Sequence, residues 1–138
     1  MKIKFRSVAN SPLQKEPQVI EFSSDLERSF EEGMDILTFI EPNQNIHNRI
    51  EVSKDKVNIF AGLSTINMEL NKAVDNYYIQ QTPDGKQIKI VLTWLLNKIE
   101  HIFETSTKEI YKLGYKLTQN NDFSNIIGDF EITLEIGK

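Results

Sequence analysis

The side chains in this sequence that could do chemistry are few and scattered. There are two histidines. His47 sits in a polar stretch, whereas His101 stands beside Glu100 and three positions before Glu104, the nearest carboxylates that could serve it in acid/base or metal chemistry. No His-Glu-x-x-His or comparable ligand spacing accompanies either, and both read more simply as solvated histidines. The chain has no cysteine, which excludes disulfides, thiolate catalysis and cysteine-based zinc sites. Ser64-Thr65 follows Gly62 without a Gly-x-Ser-x-Gly elbow or a base at a suggestive position, so these hydroxyls read as turn residues. Asn120-Asn121-Asp122, followed by Asp129 and Glu131, lacks the regular oxygen spacing and central glycine of a calcium loop. The six glycines form no run that could cradle a phosphate. Glu51 and Glu69 could face a cavity mouth, yet no paired, spaced acids point to glycoside or ester hydrolysis. The chain is therefore read as a non-enzyme with no metal and no cofactor.

Binding is better served than catalysis. Phe60, Met68, Tyr78, Trp94 and Tyr115 fall on inferred inner faces of strands, where they either fill a core or line an apolar cavity with a few placed polar groups, such as Arg49 or a tyrosine hydroxyl. These six residues are the candidate ligand-binding set. Val91 and Leu95 lie on the face opposite Trp94, and Ile99, Ile102 and Phe103 add apolar area near them. An outer patch of that size is rarely left bare, so a covering helix or loop, or a second copy of the chain, is expected over it.

The elements that must position these residues are read from alternation. The strongest stretch runs from Asn76 to Leu96. Thr82-Pro83-Asp84-Gly85 supplies a turn, with proline pre-setting one φ and glycine free to go left-handed. Beyond it Ile88, Ile90, Leu92, Trp94 and Leu96 alternate with Lys89, Val91, Thr93 and Leu95, the pattern of a core-facing strand. From Leu92 to Phe103 an amphipathic helix also fits. A strand to about Ile99 is favoured because the alternation continues without an N-cap residue, with a helical turn as the alternative near its end.

Earlier in the chain, Lys2, Lys4 and Arg6 alternate with Ile3, Phe5 and Ser7. Val19 to Phe22 and Met34 to Ile40 follow as strands, separated from their neighbours by Asn10-Ser11-Pro12 and by Glu41-Pro42-Asn43-Gln44-Asn45. Arg49 to Val52 and Lys56 to Phe60 flank Ser53-Lys54-Asp55 as a second hairpin. Gly62 suggests a bulge or bend before Ile66, Met68 and Leu70. Glu104 to Thr107 forms a turn, and Leu113, Tyr115 and Leu117, then Phe130, Ile132, Leu134 and Ile136, complete the set. Eight to ten short antiparallel strands with little helix predict an all-β barrel or sandwich in a single domain, residues 1–138. Closure into a barrel would remove exposed edges and leave an interior either filled or able to hold one small ligand.

Arg6-Ser7-Val8 with Val19-Ile20-Glu21-Phe22, Gly62-x-x-x-Ile66-x-Met68, Tyr78 ahead of Gly85-x-x-x-Lys89 and Thr93, Tyr115-x-Leu117, and Gly128-x-Phe130-x-Ile132-x-Leu134 occur in an order that resembles the YwiB-like bacterial family of unassigned function. The resemblance spans nearly all of the chain. It implies a calycin-like β-barrel, similar to lipocalins and fatty-acid-binding proteins, and lends no catalytic residues. The chain departs from that pattern between Asn97 and Lys108, where Ile99 to Phe103 is unusually apolar.

Charge and length set the remaining expectations. A net charge of −4 and a pI near 5.2 disfavour nucleic acid and anionic membranes as partners. The opening Met-Lys-Ile-Lys-Phe-Arg alternates charge with apolar residues where a signal peptide needs an apolar run, and Ile90 to Leu96 is too short to span a bilayer. The reading is a cytoplasmic β-barrel that binds a small apolar or amphipathic ligand. Its alternative is a protein interaction module that pairs with itself or a partner through the patch around Leu95 and Phe103.

Overall fold

The computed structural model describes the backbone of residues 1–119 and 121–137, and the side chains of these apart from 78–80. Eleven strands run in order: β1 (Lys2–Asn10), β2 (Gln18–Asp25), β3 (Glu27–Glu31), β4 (Met34–Glu41), β5 (Ile46–Val52), β6 (Lys56–Ala61), β7 (Ser64–Glu69), β8 (Ala73–Gln81), β9 (Gln87–Thr105), β10 (Lys108–Gln119) and β11 (Ile126–Gly137). They form two antiparallel sheets, one of six strands in the order β2-β1-β11-β10-β9-β8 and one of five in the order β3-β4-β5-β6-β7. No helix is present among the described residues, and hence none long and apolar enough to cross a membrane.

The central strands follow from their alternation, as in the burial of β11. Ile3, Leu37, Ile50, Val57, Leu96, Leu113 and Leu134 are fully buried between the sheets, and Ile132 and Ile136 extend the same inner row along β11. The core is thus built from aliphatic side chains that interdigitate across two inner faces. The turn at residues 82–85 forms as its composition requires. Gly85 takes φ +85°, the Lys86 carbonyl accepts from the Thr82 amide at 2.8 Å, and Gly85 donates to the Thr82 carbonyl at 3.0 Å.

The expected closed barrel of eight to ten strands is not seen in the ladders. The sheets are joined at two corners by the chain itself, through Leu26 between β2 and β3 and through residues 70–72 between β7 and β8. Across those corners the described contacts are sparse: Ser24 Oγ donates to the Ile40 carbonyl at 2.7 Å, Leu70 makes one parallel bridge to Leu96, and the Asn76 amide reaches the Asn67 backbone. Gly62 makes no bulge, and the bend it marks is a full chain reversal. It opens the tight β6–β7 turn at φ +59°.

The stretch from Leu92 to Phe103 is strand throughout, and β9 runs unbroken to Thr105. One feature hides this from simple alternation. Tyr115 pairs with Leu96 and Gly114 with Lys98, so Asn97 is an extra residue, a β-bulge. A Cβ on Gly114 would meet Asn97 Oδ1 at 3.0 Å and Lys98 Cβ at 3.1 Å, which is why a glycine faces the bulge. Before the bulge the even positions Trp94 and Leu96 point inward. After it the odd positions Ile99, His101 and Phe103 do, because they pair with the inward Leu113, Tyr111 and Glu109. Leu95, paired with Lys116, stays on the outer face. Leu95 and Phe103 therefore lie on opposite faces and do not form one patch.

Candidate functional site

The inner faces of the two sheets part at one end, and a polar cluster fills the gap. On the five-stranded sheet, Glu32 (φ +51°) and Gly33 (φ +79°) make a two-residue left-handed turn of the kind that matches strand twist. That turn sets Phe30 opposite Asp35 and Arg28 opposite Leu37, placing Arg28 and Asp35 as diagonal neighbours on the inner face. On the six-stranded sheet, Glu109 and Tyr111 stand two apart on β10, opposite Phe103 and His101 of β9. The Asn97 bulge is what turns His101 and Phe103 inward to meet them.

Arg28 ties the sheets together. Its Nε and Nη2 donate to Asp35 Oδ1 and Oδ2 at 2.9 and 2.7 Å, and its Nη1 and Nη2 donate to Glu109 Oε1 and Oε2 at 3.0 and 2.8 Å. This is two-sided bidentate recognition, which a planar guanidinium supports and an ammonium does not. Tyr111 donates its hydroxyl to Asp35 Oδ2 at 2.6 Å. His101 Nε2 meets Glu109 Oε2 at 2.9 Å, and its ring stacks on Tyr111 at 4.1 Å between centroids with 15° between planes. The Arg28 and Asp35 side chains are only 9% and 6% exposed. Desolvation is thus offset by pairing rather than by water.

Protonation follows from these contacts. Glu109 is held down to about 2, first by its hydrogen bonds from Arg28 and then by His101, against the burial that would raise it. Arg28 is pushed above its ordinary value by its bonds to Asp35 and Glu109. The Tyr111 hydroxyl is also raised, chiefly by burial and then by its bond to Asp35, so it remains a proton donor rather than a base.

Above the cluster lies a cleft of about 450 Å³, lined by Met1, Arg28, Phe30, His101, Phe103 and Glu109. A second hollow of about 470 Å³ adjoins it through Phe30 and His101 and reaches Asp35, Val52, Ile99 and Tyr111. Phe30 and Phe103 project from inner faces yet are 71% and 69% exposed, since the sandwich is open here. Phe30 carries the Arg28 guanidinium 5.1 Å from its centroid, and Phe103 tilts against His101 at 4.4 Å.

The residues singled out from sequence fall elsewhere. Met68, Trp94 and Tyr115 are buried in the core, at 2%, 6% and 6% exposure. Trp94 and Tyr115 pack edge to face at 5.5 Å, and Phe130 stacks on Tyr115 at 5.0 Å. Phe60 is not on an inner face. It alternates with the buried Val57 and Ile59 and pairs with Arg49, which also faces outward and is bound to Glu51 at 2.8 Å. The Tyr78 side chain lies outside the described residues. His101 does find a carboxylate, but it is Glu109 rather than Glu100 or Glu104. Arg28, Asp35, Glu109 and Tyr111 escape sequence reasoning because each sits in an ordinary-looking polar alternation. Gly114 inside a strand was the available signal for the bulge.

No family model matches the sequence. In the solved structures, the ywiB protein of Bacillus subtilis superposes with a TM-score of 0.67 over 99% of this chain and 91% of its own, at 15% identity, which shows a shared fold. An uncharacterized protein of Mycoplasmopsis pulmonis (strain UAB CTIP) is 31% identical over 138 residues, 99% of this chain and 98% of that protein. This chain belongs to the same family as that mycoplasmal protein, built on the fold of ywiB.

Proposed function

We propose that this protein is a cytoplasmic, non-catalytic binding protein of YwiB-like type, a flattened calycin-like barrel that holds a small apolar or amphipathic ligand in its open end. The observation that carries the reading is the pair of inner-face phenylalanines, Phe30 and Phe103, left exposed over a cleft whose floor is polar. Small-molecule sites combine apolar walls with a few fixed polar groups in this way. The corners at Leu26 and at residues 70–72, where the chain passes directly from sheet to sheet, support a barrel opened along its seams. A binding role is favoured over catalysis because the described carboxylates of the cluster are each engaged by Arg28, and Tyr111 is held as a donor.

The test is a titration of isotopically labelled protein with short fatty acids and hydrophobic dyes, followed by amide chemical shifts. Shifts confined to residues around Phe30, His101 and Phe103, and lost in Phe30→Ser/Phe103→Ser, support the reading. Uniform absence of binding across the panel overturns it.

A second reading, pairing of two copies or capture of a protein partner, is supported by a different element. The β8–β9 hairpin extends past the last β10 partner at Leu92 and carries an exposed apolar side chain on each face, Tyr77 on one and Ile88 on the other, 60% and 49% exposed. Sedimentation over a wide concentration range tests it, and a monomer throughout argues against self-pairing.

A further inference from the structure

The cleft's own groups specify more than an apolar ligand, and the inference here rests on the binding reading above. Four of the six side chains around the cleft end in a ring or a guanidinium plane: Arg28, Phe30, Phe103 and His101. They are already layered, guanidinium over Phe30 and imidazole against both Phe103 and Tyr111. Such walls favour a flat guest, since stacking on a ring face gains more than an alkyl chain can from the same surface.

The hydrogen-bond inventory gives the guest's edge. A guanidinium carries five N–H groups. Four of those on Arg28 are taken by Asp35 and Glu109, which leaves one N–H on Nη1 in a side chain 9% exposed that lines the cleft. Glu109, ionised, can only accept, so the hydrogen in its bond to His101 sits on Nε2, and in the tautomer that carries this hydrogen alone Nδ1 is an acceptor. The polar wall therefore offers one donor on Arg28 and one acceptor on His101, beside the remaining lone pair of Glu109 Oε1. Charge argues in the same direction: two carboxylates share one guanidinium, so with the His101 ring in its neutral tautomer an anionic head would meet net negative charge.

We infer that the cleft takes a neutral, planar heteroaromatic ring with a lactam-type edge, its carbonyl oxygen accepting from Arg28 Nη1 and its ring N–H donating to His101 Nδ1. A hydrocarbon ring would leave both protein groups desolvated and unpaired, and a fatty acid would bring the wrong charge and the wrong shape.

Isoquinolin-1-one, naphthalene and decanoate, titrated separately into the labelled full chain, separate the possibilities. The lactam is expected to bind about tenfold more tightly than naphthalene, with shifts centred on Phe30, His101 and Phe103. His101→Phe, which keeps a ring on Tyr111 but removes Nδ1, is expected to remove most of the lactam's advantage over naphthalene, the bond from Arg28 Nη1 remaining. Naphthalene or decanoate binding as tightly as the lactam to the native chain overturns the lactam edge while the ligand reading stands. Failure of all three to bind removes both.

Discussion

Arg28 and Glu109 are 81 residues apart and belong to different sheets, yet they share two hydrogen bonds, Nη1 to Oε1 at 3.0 Å and Nη2 to Oε2 at 2.8 Å. With Asp35 on the guanidinium's other side, this link holds the two inner faces at a fixed separation at the end of the sandwich where aliphatic packing gives out. The same link forms the floor of the cleft, so the site and the stability of its end of the fold rest on one side chain.

Arg28→Met tests that dependence. The substitution keeps the stem's packing but strands Asp35 and Glu109, of which Asp35 is almost wholly buried, without their cation. Breaking a buried pair from one side costs about 3 to 5 kcal/mol. Arg28→Met combined with Asp35→Asn and Glu109→Gln is expected to recover much of this, since the neutral amides no longer need the charge. Urea midpoints of the single and triple variants measure the difference, and equal losses would place the cost in packing instead.

Acid titration reads Glu109 directly. Its folded value is about 2 against an ordinary 4.5, so the charged form is the one folding favours. The sign is then fixed: this contribution is complete above 4.5 and is lost as the pH falls towards 2. Allowing for partial exposure and solvent screening, the loss is roughly 1 to 2 kcal/mol. Glu109→Gln should flatten the fall of melting temperature over that interval. An unchanged acid limb in the variant would mean that other carboxylates carry it.

Much of the architecture was legible, because period-two alternation is a direct imprint of burial on a strand. Ile88 to Leu96, Leu113 to Leu117 and Phe130 to Ile136 have the faces their spacing implies, and the turn at Thr82 to Gly85 carries its own geometry. The polar site was not legible for the same reason. Glu109 and Tyr111 alternate with Lys108, Ile110 and Lys112, and nothing local says that the Glu-Tyr side is the inner one. Asn97 compounds this by inverting the phase of β9, so that His101 and Phe103 look like surface residues to any count begun at Ile88. Sheet separation, which decides that Phe30 is bare and Leu37 is not, is a tertiary quantity with no local trace.

Gly114 is the simplest probe of the bulge. A methyl group there meets Asn97 Oδ1 and Lys98 Cβ at 3.0 and 3.1 Å, so the strands must part by a few tenths of an ångström. Gly114→Ala is expected to cost about 1 to 3 kcal/mol as local overpacking. It should also shift the amide signals of Ile99 and His101 beyond the bulge more than those of Leu92 and Thr93 before it. Uniformly small shifts would show that the bulge does not set the phase of the strand's second half.

The chain's single tryptophan, Trp94, offers a test of the core itself. It is 6% exposed, and its Nε1 has no hydrogen-bond acceptor among the described residues; a buried donor left unpaired costs about 1 to 3 kcal/mol. Trp94→Phe removes that donor together with part of the indole volume, and the two effects oppose. The net cost should stay below about 1.5 kcal/mol, whereas Trp94→Ala, which also abandons the contacts with Tyr115 and Phe130, should cost about 3 to 5 kcal/mol. Guanidinium unfolding of both variants, followed by far-ultraviolet circular dichroism because fluorescence is lost with the residue, gives the comparison. If phenylalanine costs as much as alanine, the indole N–H is bonded in solution and the aromatic cluster is more polar than its packing indicates.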